Sequence, residues 1–156
     1  MVLKNGSSIL IRKGTSYDIP AVHALVRELA IYEKAEEQHT ASIEQYAKDF
    51  DKNHFEFIVA EHPTDGIVGM AFYYWAYSTW RGKFIYLEDF VVKEAMRQEG
   101  IGQLLFDEVV SIAKQSGAKL LKWQVLDWNT PAVKFYEKNH AMIEKEWWNG
   151  KIMFVE

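Results

Sequence analysis

The chain has 156 residues, enough for one domain with a continuous core and too few for two ordinary domains. Its formal net charge of −4 argues against an extended nucleic-acid interface, which needs a cationic surface, and mildly favours cationic small molecules as ligands. Cysteine is absent, which excludes disulfides, thiolate nucleophiles and zinc–thiolate sites. With no leader-like segment and no apolar run of about 18 residues, we expect a cytoplasmic protein that does not enter a membrane.

The first elements combine a short strand with an amphipathic helix. Residues Ile9–Arg12 predict a strand, and a helix should follow from Ile19 to about Lys34. Asp18 is the expected cap of that helix, and Pro20 is tolerated in its first turn. A second helix is predicted over Ser42–Asp49.

The middle of the chain has the pattern of three consecutive strands. They are Phe55–Glu61, Ile67–Tyr77 and Phe84–Val92. The next helix begins after the segment RQEGIG and should stop at Gly117. One of its faces is apolar, comprising Leu104, Leu105, Val109, Ile112 and Ala113.

The remaining elements complete a mixed α/β (α+β) domain over residues 1–156. A strand is predicted at Lys119–Leu126, and a helix capped by Thr130 should reach Lys138. Two terminal strands, Met142–Trp147 and Lys151–Val155, should flank an Asn149–Gly150 turn. We therefore expect a central sheet of about six to seven strands and about four helices.

The segment RQEGIG, from Arg97 to Gly102, lies between a predicted strand and a predicted helix. Its two glycines allow the backbone to approach a ligand closely, and the first N–H groups of a helix have no intrahelical acceptor. Together with the positive end of the helix dipole, these groups form an anion site. Taken alone, the segment is equally consistent with an ordinary tight turn.

Longer stretches of the chain carry a family resemblance. The loop RQEGIG, the strand WQVLDWN and the helix TPAVKFYEK resemble the acetyl-CoA signature of the GNAT superfamily of N-acetyltransferases. The stretches IRKGTSYDIPAVHALVRELAIYEKAEEQ, YSTWRGKFIYLEDF and VLDWN together resemble the diamine acetyltransferases, which include the spermidine/spermine and thialysine enzymes. The resemblance implies a single GNAT domain that uses acetyl-CoA, needs no metal and forms a homodimer.

The resemblance also implies which residues bind the cosubstrate. The strand backbone should pair with the pantetheine arm, the loop and the start of its helix should take the pyrophosphate, and Asn129 should contact the arm. The strand residues are Phe90, Val91 and Val92, and the loop residues are Arg97, Gln98, Glu99, Gly100, Ile101, Gly102 and Gln103. Two positions depart from the family pattern: Gln98 stands where glycine is common, and Glu99 brings a carboxylate to an anion site. We expect Glu99 to point to solvent.

Acetyl transfer to an amine needs a proton acceptor, because an alkylammonium with a pKa near 10.4 is almost wholly protonated at neutral pH. The resemblance assigns this role to Glu88, and Tyr136 matches the general acid that protonates the leaving thiolate. Strand alternation places Glu88 and Asp89 on opposite faces unless a bulge intervenes. The alternative is that both are edge-strand charges that discourage aggregation.

Substrate choice should depend on carboxylates and aromatic side chains. By resemblance, Tyr32 and Glu33 contribute to a cationic-amine site with Glu88 and Asp89, whereas Glu36 and Glu37 fit solvated surface charge equally well. Ser78 matches the thialysine enzymes, where the spermidine/spermine enzymes have an acidic residue. Trp80 is a candidate for the wall of the site by cation–π contact.

The histidines lack the spacing of metal ligands, and no motif of a P-loop, dinucleotide fold or serine triad is present. The favoured function is acetyl-CoA-dependent acetylation of a small cationic amine. Two alternatives remain open. One is a protein or peptide acetyltransferase of the same fold, and the other is a CoA-binding domain without turnover.

Overall fold

The computed structural model describes residues 1–154, which form two compact units, Met1–Trp123 and the segment that begins at Gln124. The first unit contains three helices: α1 (Ile19–Tyr32), α2 (Ile43–Asp51) and α3 (Ile101–Gln115). It also contains five strands: β1 (Leu10–Lys13), β2 (Glu56–His62), β3 (Gly66–Ser78), β4 (Gly82–Val92) and β5 (Leu121–Lys122). The second unit contains helix α4 (Thr130–Lys138). That the chain folds as one domain stays a prediction.

The sheet has the order β1-β2-β3-β4-β5. Each neighbouring pair from β1 to β4 is antiparallel, and β5 joins β4 in parallel. The connection from β4 to β5 runs through α3, as parallel pairing requires a crossover. The long β3–β4 hairpin therefore forms the centre of the sheet.

Side chains on the two faces of the sheet form two separate apolar clusters. The α3 face contains sheet residues such as Ile58, Ile85 and Leu87, packed with Leu105 and Val109 of α3. The opposite face, which we call the α1 face, is covered by α1 and α2. Its buried members include Val22, Leu25, Phe57, Val59, Met70 and Val91. The amphipathic character predicted for α1 is thus confirmed.

Asp18 precedes α1 as predicted, but its carboxylate does not cap the helix. The guanidinium of Arg12 donates to both of its oxygens, at 2.8 and 2.9 Å, and the N–H of Thr15 also donates to it. These hydrogen bonds hold the pKa of Asp18 below its usual value. The capping prediction was wrong because a tertiary partner on β1 competes for the same oxygens.

Other helix ends agree more closely with the sequence. Ser42 caps α2 by accepting a hydrogen bond from the N–H of Gln45 at 3.1 Å. Gly117 follows α3 with φ +78°, the left-handed conformation expected of a stop glycine. The cap of α4 is Asn129 rather than Thr130, since the Asn129 side chain accepts from the N–H of Ala132.

The sheet has five strands among the described residues, fewer than the predicted six to seven. The strand predicted at Lys119–Leu126 is reduced to Leu121–Lys122. Met142–Trp147 and residues 151–154 form no strand, and Val155 lies outside the described residues. Apolar alternation reflects a preference for a half-buried surface, but a strand also needs a partner for its backbone groups, which composition does not supply.

None of the helices in residues 1–154 is both long enough and apolar enough to cross a membrane.

Candidate active site

Strand β4 contains a bulge at Glu88. Asp89 pairs with Phe72 of β3, whereas Leu87 pairs with Tyr73, so Glu88 is an extra residue with no partner opposite. Such a residue interrupts the regular alternation of side chains along a strand. The sequence left this possibility open, and the structure contains the bulge.

The bulge turns Asp89 toward the α1 face of the sheet. Leu87 belongs to the cluster on the α3 face, and in a regular strand Asp89 would point the same way as Leu87. Instead Asp89 lies directly opposite Phe72, which packs against the cluster on the α1 face. Residues that are directly opposite in an antiparallel pair project to the same face.

Three carboxylates interact electrostatically at this bulge. Burial raises the pKa of Asp89 to about 7, and the negative charges of Glu88 and Glu33 add to the rise. Burial also raises the pKa values of Glu88 and of Glu33, which follows the end of α1. The sequence predicted all three carboxylates as substrate residues, and the structure brings them together.

Three tyrosines surround this acidic cluster of Glu33, Glu88 and Asp89. Tyr74 and Tyr86 are cross-strand partners with stacked rings 5.3 Å apart, and Tyr46 reaches the same face from α2. Burial, with the nearby charges of Glu88 and Asp89, raises the pKa values of Tyr46 and Tyr86 to about 12, and burial with the charge of Glu88 raises that of Tyr74. All three hydroxyls therefore stay protonated at neutral pH.

The loop between β4 and α3 has the backbone of an anion site. Gln98 and Gly100 both have positive φ, +68° and +92°, which helps to turn successive N–H groups toward one side. The first turn of α3 follows at once, where N–H groups lack intrahelical acceptors. A Cβ added to Gly102 would meet Phe90 at 3.8 Å and Val92 at 3.9 Å, which is ordinary van der Waals contact, so packing against β4 does not itself require glycine there. The loop backbone therefore has the features of an anion site, as the sequence suggested.

Side chains of the loop depart from the expectation. Oε2 of Glu99 is buried and has no hydrogen-bond partner among the described residues, so the prediction that Glu99 points to solvent was wrong. Arg97 donates from Nε to the carbonyl oxygen of Val92 at 3.1 Å, and its guanidinium lies 5.7 Å from the ring centre of Tyr32. Arg97 thus links the loop to the end of α1, where Glu33 begins the acidic cluster.

The model of the acetyltransferase (GNAT) family matches residues 21–142. The chain belongs to that acetyltransferase family. It is 38% identical over 155 residues to a thialysine N-epsilon-acetyltransferase from Sus scrofa, covering 92% of this chain and 91% of the relative. Identity to the Bos taurus enzyme of the same name is 36% over 152 residues, with 90% and 89% covered.

A solved structure shares the GNAT fold. The aminoglycoside acetyltransferase meta-AAC0020 from an uncultured soil metagenomic sample superposes with a TM-score of 0.78 at 19% identity, covering 94% of this chain and 97% of that one. The family match and the two thialysine relatives show that the chain is an N-acetyltransferase, and its predicted resemblance to the diamine and thialysine enzymes of the GNAT family is confirmed.

The second unit contains two residues that the GNAT resemblance singled out. Asn129 caps α4, and Tyr136 on the same helix is buried. The helix ends at Lys138, as predicted. His140 adopts the left-handed conformation, with φ +66°.

Ser78 and Trp80 lie at the turn of the β3–β4 hairpin. Ser78 Oγ accepts hydrogen bonds from the backbone N–H groups of Trp80 and Arg81, and the Trp80 side chain is exposed. Ser78 pairs with Gly82, which is roughly 20 Å along β4 from Glu88 at about 3.3 Å per residue. Within one chain these two residues are not part of the acidic cluster.

Sequence reasoning missed Tyr46 and Tyr86 as neighbours of the carboxylates. Tyr86 lies within an apolar run, and Tyr46 lies on a short amphipathic helix, where a tyrosine usually contributes only packing. The signal that could have identified Tyr86 is its position two residues before Glu88. Tyr46 gave no comparable signal, because its proximity depends on how α2 packs on the sheet.

Proposed function

We propose that the chain transfers the acetyl group of acetyl-CoA directly to a primary amine of a small cationic substrate. The candidates are a diamine, a polyamine or a thialysine-like amino acid. The observation that carries this proposal is the convergence of Glu33, Glu88 and Asp89 at the bulge of β4. The strand and the loop that follows it supply the backbone proposed to hold the cosubstrate.

The acidic cluster favours a substrate with positive charge. Each of the three carboxylates has a raised pKa, so each would be stabilised in its ionised form by a nearby ammonium group. Three such groups suit a substrate with more than one ammonium or with an extended cationic chain. The similarity to thialysine N-epsilon-acetyltransferases supports the same class of substrate.

Glu88 is the proposed base, acting directly or through water, with Asp89 beside it. The ammonium loses one N–H proton to the carboxylate, and the neutral nitrogen then attacks the thioester carbonyl carbon. A carboxylate with a raised pKa accepts this proton at a smaller cost in free energy. The carbon–sulfur bond breaks, and Tyr136 is proposed to donate a proton to the departing thiolate. The second proton that the nitrogen loses as the amide forms then restores the Tyr136 hydroxyl, so one proton is released in each turnover.

Acetyl-CoA supplies an activated acyl group as a thioester, and enzymes of the GNAT family use it. The residues proposed to bind it are the β4 backbone at Phe90–Val92, the loop Arg97–Gly102, Gln103 and Asn129. The positive φ values in the loop support this assignment. The buried Glu99 oxygen opposes it, since a second negative charge would be placed close by.

Ser78 and Trp80 bear on substrate choice only if a second copy of the chain brings its hairpin to the cluster. The homodimer implied by the resemblance would allow this. We therefore retain both residues as substrate-site candidates that act between chains. Ser78→Asp should then raise turnover of spermidine relative to thialysine, whereas an unchanged ratio removes Ser78 from that role.

The deciding experiment measures release of the CoA thiol with a panel of amines. The panel contains spermidine, spermine, putrescine, thialysine, lysine and a lysine-bearing peptide. We expect turnover with the small cationic amines. Turnover with the peptide alone would favour a protein acetyltransferase, and acetyl-CoA binding without turnover would leave only the CoA-binding alternative.

Two variants test the proposed roles. Tyr136→Phe should lower kcat more than about tenfold while acetyl-CoA affinity changes little, because only the acid is lost. Glu88→Gln should reduce turnover most at low pH, where free amine is scarcest. An unchanged kcat would remove Tyr136 from its role, and a uniform loss across pH would assign Glu88 to substrate binding instead.

A further inference from the structure

Two histidines and a tyrosine form a hydrogen-bonded cluster where α1, α2 and the segment between them meet. His39 Nε2 and the Tyr46 hydroxyl are 3.3 Å apart. The His23 ring lies 4.6 Å from the His39 ring, and His23 Nε2 is 2.8 Å from the Ala41 carbonyl oxygen, to which it donates. These histidines have no role in the acetyl-transfer steps described above.

Tyr46 connects this histidine cluster to the acidic cluster. Its ring lies 6.2 Å from the ring of Phe72, and Phe72 is the cross-strand partner of Asp89. Tyr46, Phe72 and Asp89 therefore share the α1 face of the sheet. The charges of Asp89 and Glu88 contribute to the raised pKa of Tyr46, which agrees with this proximity.

His39 lies at the boundary between the protein interior and solvent. Its side chain is half-buried, and its pKa is lowered by burial and by the positive charges of His23 and Arg27 on α1. Arg27 is itself paired with Glu36 of the connecting segment at 3.0 Å. The titratable and charged groups between the acidic cluster and solvent are thus His23 and Arg27 from α1, Tyr46 from α2, and Glu88 and Asp89 from β4.

We propose that Tyr46 and His39 relay to solvent the proton that the acidic cluster removes from the substrate amine. The inference rests on the proposed function, because it requires a carboxylate that receives this proton in each turnover. Each transfer of an acetyl group from acetyl-CoA to an ammonium releases one net proton. Once substrate fills the site, that proton needs an exit that does not pass through the substrate.

The relay moves one proton in balanced steps. Glu88 first passes the amine proton to the neighbouring carboxylate of Asp89. The O–H bond of protonated Asp89 then breaks, and its proton passes across a bridging water to Tyr46 Oη. The original Tyr46 proton passes to Nε2 of neutral His39, and the resulting imidazolium loses its Nδ1 proton to solvent. Exchange with solvent then restores the tautomer that accepts at Nε2.

The acid–base properties of the three groups agree with this order. The pKa of Asp89 is raised to about 7, and burial lowers the pKa of His39, so the His39 imidazolium is the stronger acid of the two and forms only transiently. A low pKa also lets His39 release its proton quickly. Tyr46, whose pKa is about 12, stays protonated overall and passes one proton on as it receives another.

The test compares His39→Ala and Tyr46→Phe with wild type in weakly buffered solution and with added imidazole. We expect kcat to fall at least about tenfold in both variants at low buffer concentration, with KM for the amine changed less than about twofold. Imidazole should restore His39→Ala to within about twofold of wild type. Tyr46→Phe should not respond, because its phenyl ring still fills the site of the hydroxyl.

His54→Leu is the matched control, since His54 is exposed in the loop after α2 and outside the cluster. It should turn over like wild type in every buffer. The relay is overturned if His39→Ala keeps the wild-type rate at low buffer concentration, or if its loss does not respond to imidazole. Either result leaves the amine panel untouched, whereas wild-type turnover with no small amine would refute the proposed function itself.

Discussion

Gln98 has a backbone conformation that few residues other than glycine adopt readily. Its φ of +68° costs a residue with a Cβ about 1–2 kcal/mol, and the GNAT pattern commonly has glycine at this position. The departure noticed in the sequence is therefore a site of backbone strain inside the proposed pyrophosphate loop.

Replacing Gln98 with glycine should relieve that strain. Glycine offsets part of the gain by its larger entropy when unfolded, so we expect Gln98→Gly to stabilise the protein by about 0–1 kcal/mol. Urea denaturation measures the change. Gln103→Gly, in the first turn of α3, is the matched control and should instead destabilise by up to about 1 kcal/mol. A clear loss of stability in Gln98→Gly would show that the loop does not hold this conformation.

Asp89 should make the stability of the protein depend on pH. The pKa of Asp89 is about 7 in the folded protein and near 3.9 in the unfolded chain. Between about pH 4 and about pH 7, the folded state therefore holds a proton that the unfolded state has lost. The contribution of Asp89 to the free energy of unfolding is therefore most favourable below about pH 4 and falls as pH rises through about 7.

Asp89→Asn removes this dependence, because the amide imitates the protonated acid. We expect Asp89→Asn to leave the free energy of unfolding nearly unchanged at about pH 4 and to raise it by about 2 kcal/mol at about pH 8. Thermal unfolding at the two pH values, with the exposed Asp51→Asn as control, measures the difference. Equal effects of Asp89→Asn at both pH values would contradict the raised pKa.

At the scale of single elements, helix α2 positions Tyr46 and depends on a cap that the sequence reveals. Ser42→Ala removes the acceptor for the N–H of Gln45 and should destabilise the protein by about 1 kcal/mol, as loss of a cap usually does. Urea denaturation can compare it with Thr40→Ala, an exposed neighbour outside the helix. If the two substitutions cost the same, Ser42 does not stabilise α2.

The elements that the sequence predicted well are those specified by local chemistry. The start of α2 follows from Ser42, the stop of α3 follows from Gly117, and the three central strands follow from dense runs of β-branched and aromatic residues. Asp18 failed as a cap because its partner, Arg12, lies on a different element. The terminal strands failed because a strand requires a ladder partner.

The candidate site also combines features that local sequence determines with features that depend on tertiary packing. The motif predicted the RQEGIG loop, and the family resemblance implied Glu88 and Asp89. The direction in which Asp89 points depends on how β3 and β4 register around Glu88, and the role of Tyr46 depends on the packing of α2. Both are tertiary properties, which local patterns do not determine.

At the scale of the whole molecule, the second unit exposes a group of large apolar side chains. Trp148 and Phe154 are each 95% exposed, and Trp147, Ile152 and Met153 are exposed as well. Several exposed large apolar side chains in one segment are candidates for an interaction site. With the homodimer that the resemblance implies, this segment is the proposed contact.

The double variant Trp148→Ser, Phe154→Ser should shift the protein toward monomer. The substitutions remove exposed apolar area that association would bury. Sedimentation velocity over a range of concentrations measures the change. Tyr17→Ser is the control, because Tyr17 is 94% exposed in the first unit. An unchanged monomer–dimer equilibrium would place the dimer contact elsewhere.

The extra residue at Glu88 makes the length of β4 as informative as its composition. Deleting Glu88 would restore regular pairing with β3 and leave Asp89 opposite Phe72 on the α1 face. A relative that is one residue shorter here would therefore keep the direction of Asp89 and lack the extra residue that places a second carboxylate beside it. Conversely, a relative could replace several of these residues and keep the geometry. Spacing across this strand is thus a criterion for grouping homologues by activity that residue identity alone does not provide.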